Sequence, residues 1–153
     1  MRRFILNNKA VLPTALSLLC IGCMTIQPNS IPGHYHCHGA DAEAGQYDIH
    51  DLTITQDVQV TGSPMASYDM QIKDINTREG GSYRGHAIVD LHQRIGANFI
   101  GHNRNKPKDY GAGLMRLDKF DRQQAVLQQF TIHYYEPAYH LNGQYVCMRR
   151  NGP

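Results

Sequence analysis

Alternation of apolar and polar side chains in short segments is the feature that most constrains this chain. Between residues 34 and 149 the alternation recurs in runs separated by Gly, Asp, Asn or Pro. Within 67–74, for example, Tyr68, Met70 and Ile72 alternate with polar neighbours. A period of two is the pattern of a strand with one buried face, and no segment carries a helical apolar stripe longer than two turns. The pattern therefore predicts an all-β body.

Eight strands account for this body. An antiparallel up-and-down barrel fits eight short strands with short connections, and a β-sandwich is the alternative. Within 46–55 the apolar residues change phase, which predicts a β-bulge near His50 or Asp51. The best helical candidate is 118–128, where a turn of helix near Asp118–Gln124 stays open. The predicted strands are 34–38, 46–55, 67–74, 82–90, 94–102, 110–117, 124–135 and 143–149.

Matching motifs at the two ends of the body predict a disulfide. Tyr35-x-Cys37 lies in the first strand and Tyr145-x-Cys147 in the last, so that in each strand Tyr and Cys share a face. A bridge between Cys37 and Cys147 would place the first strand beside the last and close a barrel. The alternative is two independent buried thiols.

The amino-terminal residues have the layout of a secretory signal peptide. Residues 1–9 contain Arg2, Arg3 and Lys9, and residues 10–23 are uncharged and largely apolar. An uncleaved membrane anchor is the alternative, although a membrane span needs about 20 apolar residues and Pro13 interrupts this stretch. We expect residues 1–22 to be the signal peptide of an exported protein.

The end of this segment, Leu19-Cys20-Ile21-Gly22-Cys23, resembles the lipobox of bacterial lipoprotein precursors. The resemblance implies that Cys23 becomes the first mature residue, carries lipid and anchors the protein to a membrane of the cell envelope. Residues 23–33 would then tether the barrel domain, residues 34–150, to the membrane. Cleavage after Gly22 by an ordinary signal peptidase is the alternative, and it would give a soluble periplasmic or secreted protein.

Cysteine counting favours lipidation. Of the four cysteines, Cys20 is lost on cleavage and a lipidated Cys23 leaves one pair, whereas an unmodified Cys23 leaves an odd thiol. The body itself faintly resembles small exported β proteins of lipocalin-like or avidin-like shape. That resemblance lies in Gly-Tyr punctuation such as Gly45-Gln46-Tyr47 and Asn142-Gly143-Gln144-Tyr145, and it assigns no functional residue.

Three alternating histidines are the sharpest polar feature of the chain. His34, His36 and His38 project from one face if residues 34–38 form a strand. Imidazoles at this spacing can chelate zinc or copper, so a metal site on this face is one prediction. The competing interpretation is a polar outer face on an edge strand, with no cofactor.

Composition and motifs exclude several functions. Without the three charges of residues 1–9 the chain carries 12 Lys and Arg against 13 Asp and Glu, and a near-neutral body argues against nucleic acid as a partner. The chain has no Gly-x-Ser-x-Gly, no His-Glu-x-x-His and no phosphate-binding Gly-rich loop, so we expect no enzyme. An unrecognised hydrolase remains as an alternative.

The sequence therefore predicts a non-enzymatic envelope protein that binds a protein, a glycan or a small ligand through its barrel. The aromatic run 132–139 is explained by core packing, or by a tyrosine-lined ligand mouth. The alternative function is metal binding by the His34/His36/His38 face.

Overall fold

The protein is a closed antiparallel barrel of eight strands, as the alternation predicted, and the sandwich alternative is excluded. The computed structural model describes residues 26–59, 63–76, 82–103 and 106–151. Each strand pairs with the next along the chain, and the last pairs with the first. The strands are β1 Gly33–Asp41, β2 Gly45–Gln59, β3 Met65–Ile75, β4 Tyr83–Asp90, β5 Ile95–Asn103, β6 Lys106–Asp121, β7 Val126–Glu136 and β8 Leu141–Arg149.

The barrel closes where the two cysteine motifs meet. Cys37 of β1 lies directly opposite Cys147 of β8, and the two form a disulfide with Cα atoms 4.0 Å apart. Tyr35, Cys37, Tyr145 and Cys147 are all buried, which confirms that each Tyr-Cys pair shares the inner face. Because β1 pairs with both β2 and β8, the expectation that the histidines lie on an edge strand was wrong.

Aspartates begin three of the tight turns. Asp41, Asp90 and Asp121 each accept hydrogen bonds from the backbone N–H groups two and three residues later, which offers the backbone a turn in place of the sheet ladder. β6 continues through Asp121 before such a turn, so no helical turn forms near Asp118–Gln124. The predicted bulge is present, as a register shift between β2 and β3 at Asp51.

One end of the barrel is closed by the chain that precedes β1. Pro28–Ser30 form a single turn of 3-10 helix, and Ile26 and Ile31 join the hydrophobic core. The hydroxyls of Tyr35 and Tyr68 donate to the carbonyls of Ile31 and Pro28. Residues 26–32, which were expected to form part of the tether, therefore pack against the barrel.

Arg149 at the end of β8 completes this closure. Its Nη2 lies 2.9–3.2 Å from the carbonyl oxygens of Ser30, Ile31 and Pro32, and its Nε donates to Leu127. The guanidinium also lies 5.0 Å from the ring centre of Tyr35. One cationic side chain thus donates to several backbone carbonyls inside the barrel end. No helix of the described residues is long and apolar enough to cross a membrane.

Candidate functional site

The opposite end of the barrel contains an open cavity of about 810 Å³. Its walls come from the inner faces of the strands where β1–β2, β3–β4, β5–β6 and β7–β8 connect. Core side chains fill the barrel from the closed end, and the cavity begins above Ile49, Ile72 and Ile100. A concave site of this size suits a small molecule.

Two glycines make room for the tyrosines that line this cavity. The ring of Tyr47 lies over Gly39 and the ring of Tyr134 lies over Gly143, its partner on β8. A Cβ atom at either glycine would fall within 2.3 Å of the ring, so only glycine permits this packing. The rings are thereby held flat against the wall, which leaves the centre of the barrel open.

The hydroxyls of these tyrosines form a chain that ends on a carboxylate. Tyr47 donates to Tyr134, and Tyr134 donates to Oδ2 of Asp41, each at 3.0 Å. Oδ1 of Asp41 is held by the β1–β2 turn, so the carboxylate has a fixed position. Burial raises the pKa of Tyr47 and of Tyr134 well above the usual tyrosine range. Both hydroxyls therefore stay protonated and act as hydrogen-bonding groups.

Two polar side chains in the cavity wall have no partner. Asn98 of β5 is 4% exposed, and both its amide nitrogen and its amide oxygen are buried without a hydrogen bond. The hydroxyl of Tyr145 on β8 is also buried and unpartnered, and burial raises its pKa. An unsatisfied buried polar group costs about 1–3 kcal/mol. Such groups in a cavity wall are typical of a site that a ligand completes.

The described residues that line the cavity carry a net negative charge. Asp41, Glu43 and Glu136 line it, and no Lys or Arg occurs among its described lining residues. The carboxylates at this end of the barrel attract cationic groups more than anionic ones.

The sequence predicted part of this site. Tyr134 and Tyr139, from the aromatic run 132–139, line the cavity as a tyrosine-lined mouth would require. Asn98, Tyr47 and Asp41 were missed because they lie on three other strands. The alternation along each strand indicated which side chains face inward. A polar side chain that faces inward, such as Asn98, can be assigned to a cavity only when the positions of all the strands are known.

The three predicted metal ligands do not stay together. His36 and His38 project outward on β1 with ring centres 4.7 Å apart, and Asp48 of β2 faces both. His34 does not join them, because its Nδ1 lies 3.2 Å from Asp51 and from Thr53. The donor cluster that the structure brings together is His36, His38 and Asp48, and His34 lies outside it. Asp48 was missed because it lies on β2, and the sequence did not give the register of β2 against β1.

The outer surface also carries an apolar patch. Ile88, Phe99 and Leu114, on β4, β5 and β6, are 43–56% exposed, and Phe99 stacks on Tyr110 with ring centres 5.8 Å apart. These side chains point away from the cavity, since their neighbours in sequence face the barrel interior. The patch reaches the cavity at Tyr110, which stacks on Phe99 and also lines the cavity.

The chain matches no protein-family model, and no curated protein is significantly similar to it in sequence. The lipidation prediction at Cys23 and the signal peptide, residues 1–22, lie outside the described residues.

Proposed function

We propose that this protein is an exported, lipid-anchored envelope protein that binds a small ligand, without chemical conversion, in the cavity of its barrel. The observation that carries the proposal is the unpartnered pair of buried polar groups in the cavity wall, Asn98 and Tyr145. A protein that gained nothing from these groups would be more stable with apolar side chains in their place.

The lining chemistry favours a neutral or cationic molecule with a ring or short apolar body. Tyr47, Tyr134 and Tyr145 offer aromatic faces, and Asn98 offers one acceptor and two donors. Asp41 gives a fixed carboxylate near the mouth. No constellation of nucleophile, base and orienting group occurs among the described lining residues, which supports binding without catalysis.

Export and anchoring are supported by the sequence. The basic and apolar signal-like segment precedes Gly22-Cys23, and a disulfide is typical of exported proteins. With lipid at Cys23, only Met24 and Thr25 separate the anchor from Ile26, which is buried at the closed end of the barrel. The closed end would then face the membrane, and the cavity mouth would face away from it.

The binding proposal is tested by replacing Asn98, a polar residue of the cavity wall, with an apolar residue. We would titrate the protein with N-phenyl-1-naphthylamine, an uncharged aromatic probe whose fluorescence rises in apolar sites. Asn98→Leu should change probe affinity at least about tenfold, because it alters the wall that the probe contacts, and it should raise the melting temperature, because an unpartnered amide costing about 1–3 kcal/mol is replaced by an apolar group. A gain in stability when a buried polar group is replaced is typical of functional sites.

The matched control is Asn142→Leu, the same substitution at an exposed position of β8. It should leave probe affinity unchanged. Saturable binding that responds equally to both substitutions, or that is absent from the unmodified protein, would contradict a cavity site. Native mass spectrometry of protein extracted from its own membranes would then identify the natural ligand.

Anchoring is tested separately by Cys23→Ser. This variant should leave the membrane fraction and lack the mass of the lipid. If it stays membrane-bound and its processing is unchanged, the lipid anchor is refuted while the cavity proposal stands.

A further inference from the structure

We propose that His36, His38 and Asp48 form a binding site for a divalent transition-metal ion, with zinc as the expected occupant, on the outer face of the barrel. One donor atom from each residue lies within 4.8 Å of the others. The site is independent of the ligand cavity, because it lies on the opposite side of the β1–β2 wall.

The barrel wall itself brings these residues together. His36 and His38 are two apart on β1 and so share its outer face. The pairing of β1 with β2 places Asp48 directly opposite His38, and Nδ1 of His38 contacts its carboxylate. The register shift between Tyr35 and Cys37 lies at His36, whose Nε2 is 3.9 Å from the same carboxylate oxygen.

A second observation points to a missing partner. Nε2 of His36 is buried and makes no hydrogen bond, and its distance to Asp48 is too long for one. The ring of His36 also contacts that of His50, with the two rings nearly perpendicular and their centres 5.4 Å apart. A metal ion between His36, His38 and Asp48 would give this nitrogen the partner that it lacks.

The donor set is that of a three-ligand zinc site. Zinc binds imidazole nitrogen and carboxylate oxygen at about 2.0–2.2 Å, so tetrahedral ligands lie about 3.3 Å apart. Donors already within 4.8 Å of one another approach this spacing through side-chain rotation alone. Metal entry replaces the His38–Asp48 hydrogen bond with two coordinate bonds and releases any proton held between them. A surface depression lined by His38, Asp48 and Val146 opens beside two of these donors.

Another His-Asp cluster provides a natural control. Asp57, Asp69 and His86 also bring three donor atoms within 4.8 Å, but all three residues are exposed. Nδ1 of His86 lies 2.7 Å from Asp69, whereas Nε2 of His36 makes no hydrogen bond. We therefore expect no tight binding there, nor at His34, whose Nδ1 faces Asp51 and Thr53.

The test is calorimetric titration with Zn²⁺ of the full chain, purified in detergent without a polyhistidine tag. We expect one zinc per chain. His38→Ala and Asp48→Asn should each weaken binding at least about tenfold, with unchanged circular dichroism because both side chains face outward. His34→Ala and His86→Ala should bind zinc as the unmodified protein does.

Nuclear magnetic resonance of the imidazole nitrogens gives an independent readout. Zinc should shift the ring nitrogens of His36 and His38 and leave those of His86 unchanged. The proposal is overturned if the unmodified protein takes up no zinc. It is equally overturned if His86→Ala or His34→Ala reduces uptake as much as His38→Ala does.

Discussion

Loss of the Cys37–Cys147 disulfide should destabilise the barrel strongly without changing its fold. The bridge joins the first strand to the last across a sequence separation of 110 residues. β1 and β8 are also paired along seven residues on each side, so the barrel stays closed in the native state when the bridge is broken. The effect of the bridge is therefore exerted mainly on the unfolded chain, which gains freedom when the covalent loop is opened.

The size of the effect follows from the loop. For a separation of 110 residues, the chain-entropy model gives about 4.8 kcal/mol at 25 °C, near the top of the 2–5 kcal/mol that native disulfides usually contribute. A domain of about 120 residues has an unfolding entropy of about 0.25 kcal/mol/K near its melting temperature. A loss of about 2–5 kcal/mol therefore corresponds to a drop in melting temperature of about 8–20 °C.

The assay compares thermal unfolding of oxidised and fully reduced protein. Reduction keeps both sulfur atoms in the buried site, where Cys37 and Cys147 are fully covered, so it isolates the bridge from packing. The double variant Cys37→Ala/Cys147→Ala should be less stable still, because it also removes buried sulfur. Circular dichroism should show the same strand content in all three. A reduced protein that melts within about 3 °C of the oxidised one would refute the loop argument.

Two further predictions concern the closed end and the tyrosines. Arg149→Met should lower the unfolding free energy in urea by about 2–3 kcal/mol, because its charged hydrogen bonds to backbone carbonyls of Ser30, Ile31, Pro32 and Leu127 are lost. The control Arg150→Met, at an exposed position, should change the unfolding free energy by less than about 0.5 kcal/mol. Equal losses in the two variants would contradict this role for Arg149. Stability should also fall with pH above about 10, where unfolded tyrosines ionise. The raised pKa of Tyr47, Tyr134 and Tyr145 keeps these side chains neutral in the fold, so the native state binds more protons there and the unfolding free energy declines as pH rises. Urea titrations at pH 8 to 11 measure this slope, and a flat profile would contradict the burial of these hydroxyls.

The strand pattern was readable because alternation is a local property. Tyr68, Met70 and Ile72 face inward whatever their partners are, since side chains two apart on a strand share a face. Strand ends were less accurate, and β6 begins and ends beyond the predicted 110–117. Its extension to Asp121 depends on pairing with β7, and the sequence of β6 alone does not show how far that pairing extends.

The candidate metal site shows the same division. Alternation placed His36 and His38 on one outward face, but it also placed His34 there. The third member of the proposed site depends on the strand register, which places Asp48 opposite His38. The same register places Asp51 and Thr53 beside His34. Register depends on the paired strand and its bulges, so β1 alone could not show that Asp48, and not His34, lies beside His36 and His38.

What the sequence by itself predicted is the all-β class, about eight strands, and a Cys37–Cys147 bridge between the first strand and the last, with a β-sandwich and two independent thiols as the alternatives. These follow from periodicity and from two paired motifs, which need no knowledge of distant contacts. Only the tertiary structure decided that residues 26–32 close one end, that Arg149 holds them there, and that an open cavity remains at the other end. The physical reason is that the burial of a side chain and the presence of a cavity are properties of the assembled barrel and not of any single strand. Whether Asn98 meets a partner or open space depends on every strand around it, and no local pattern encodes that.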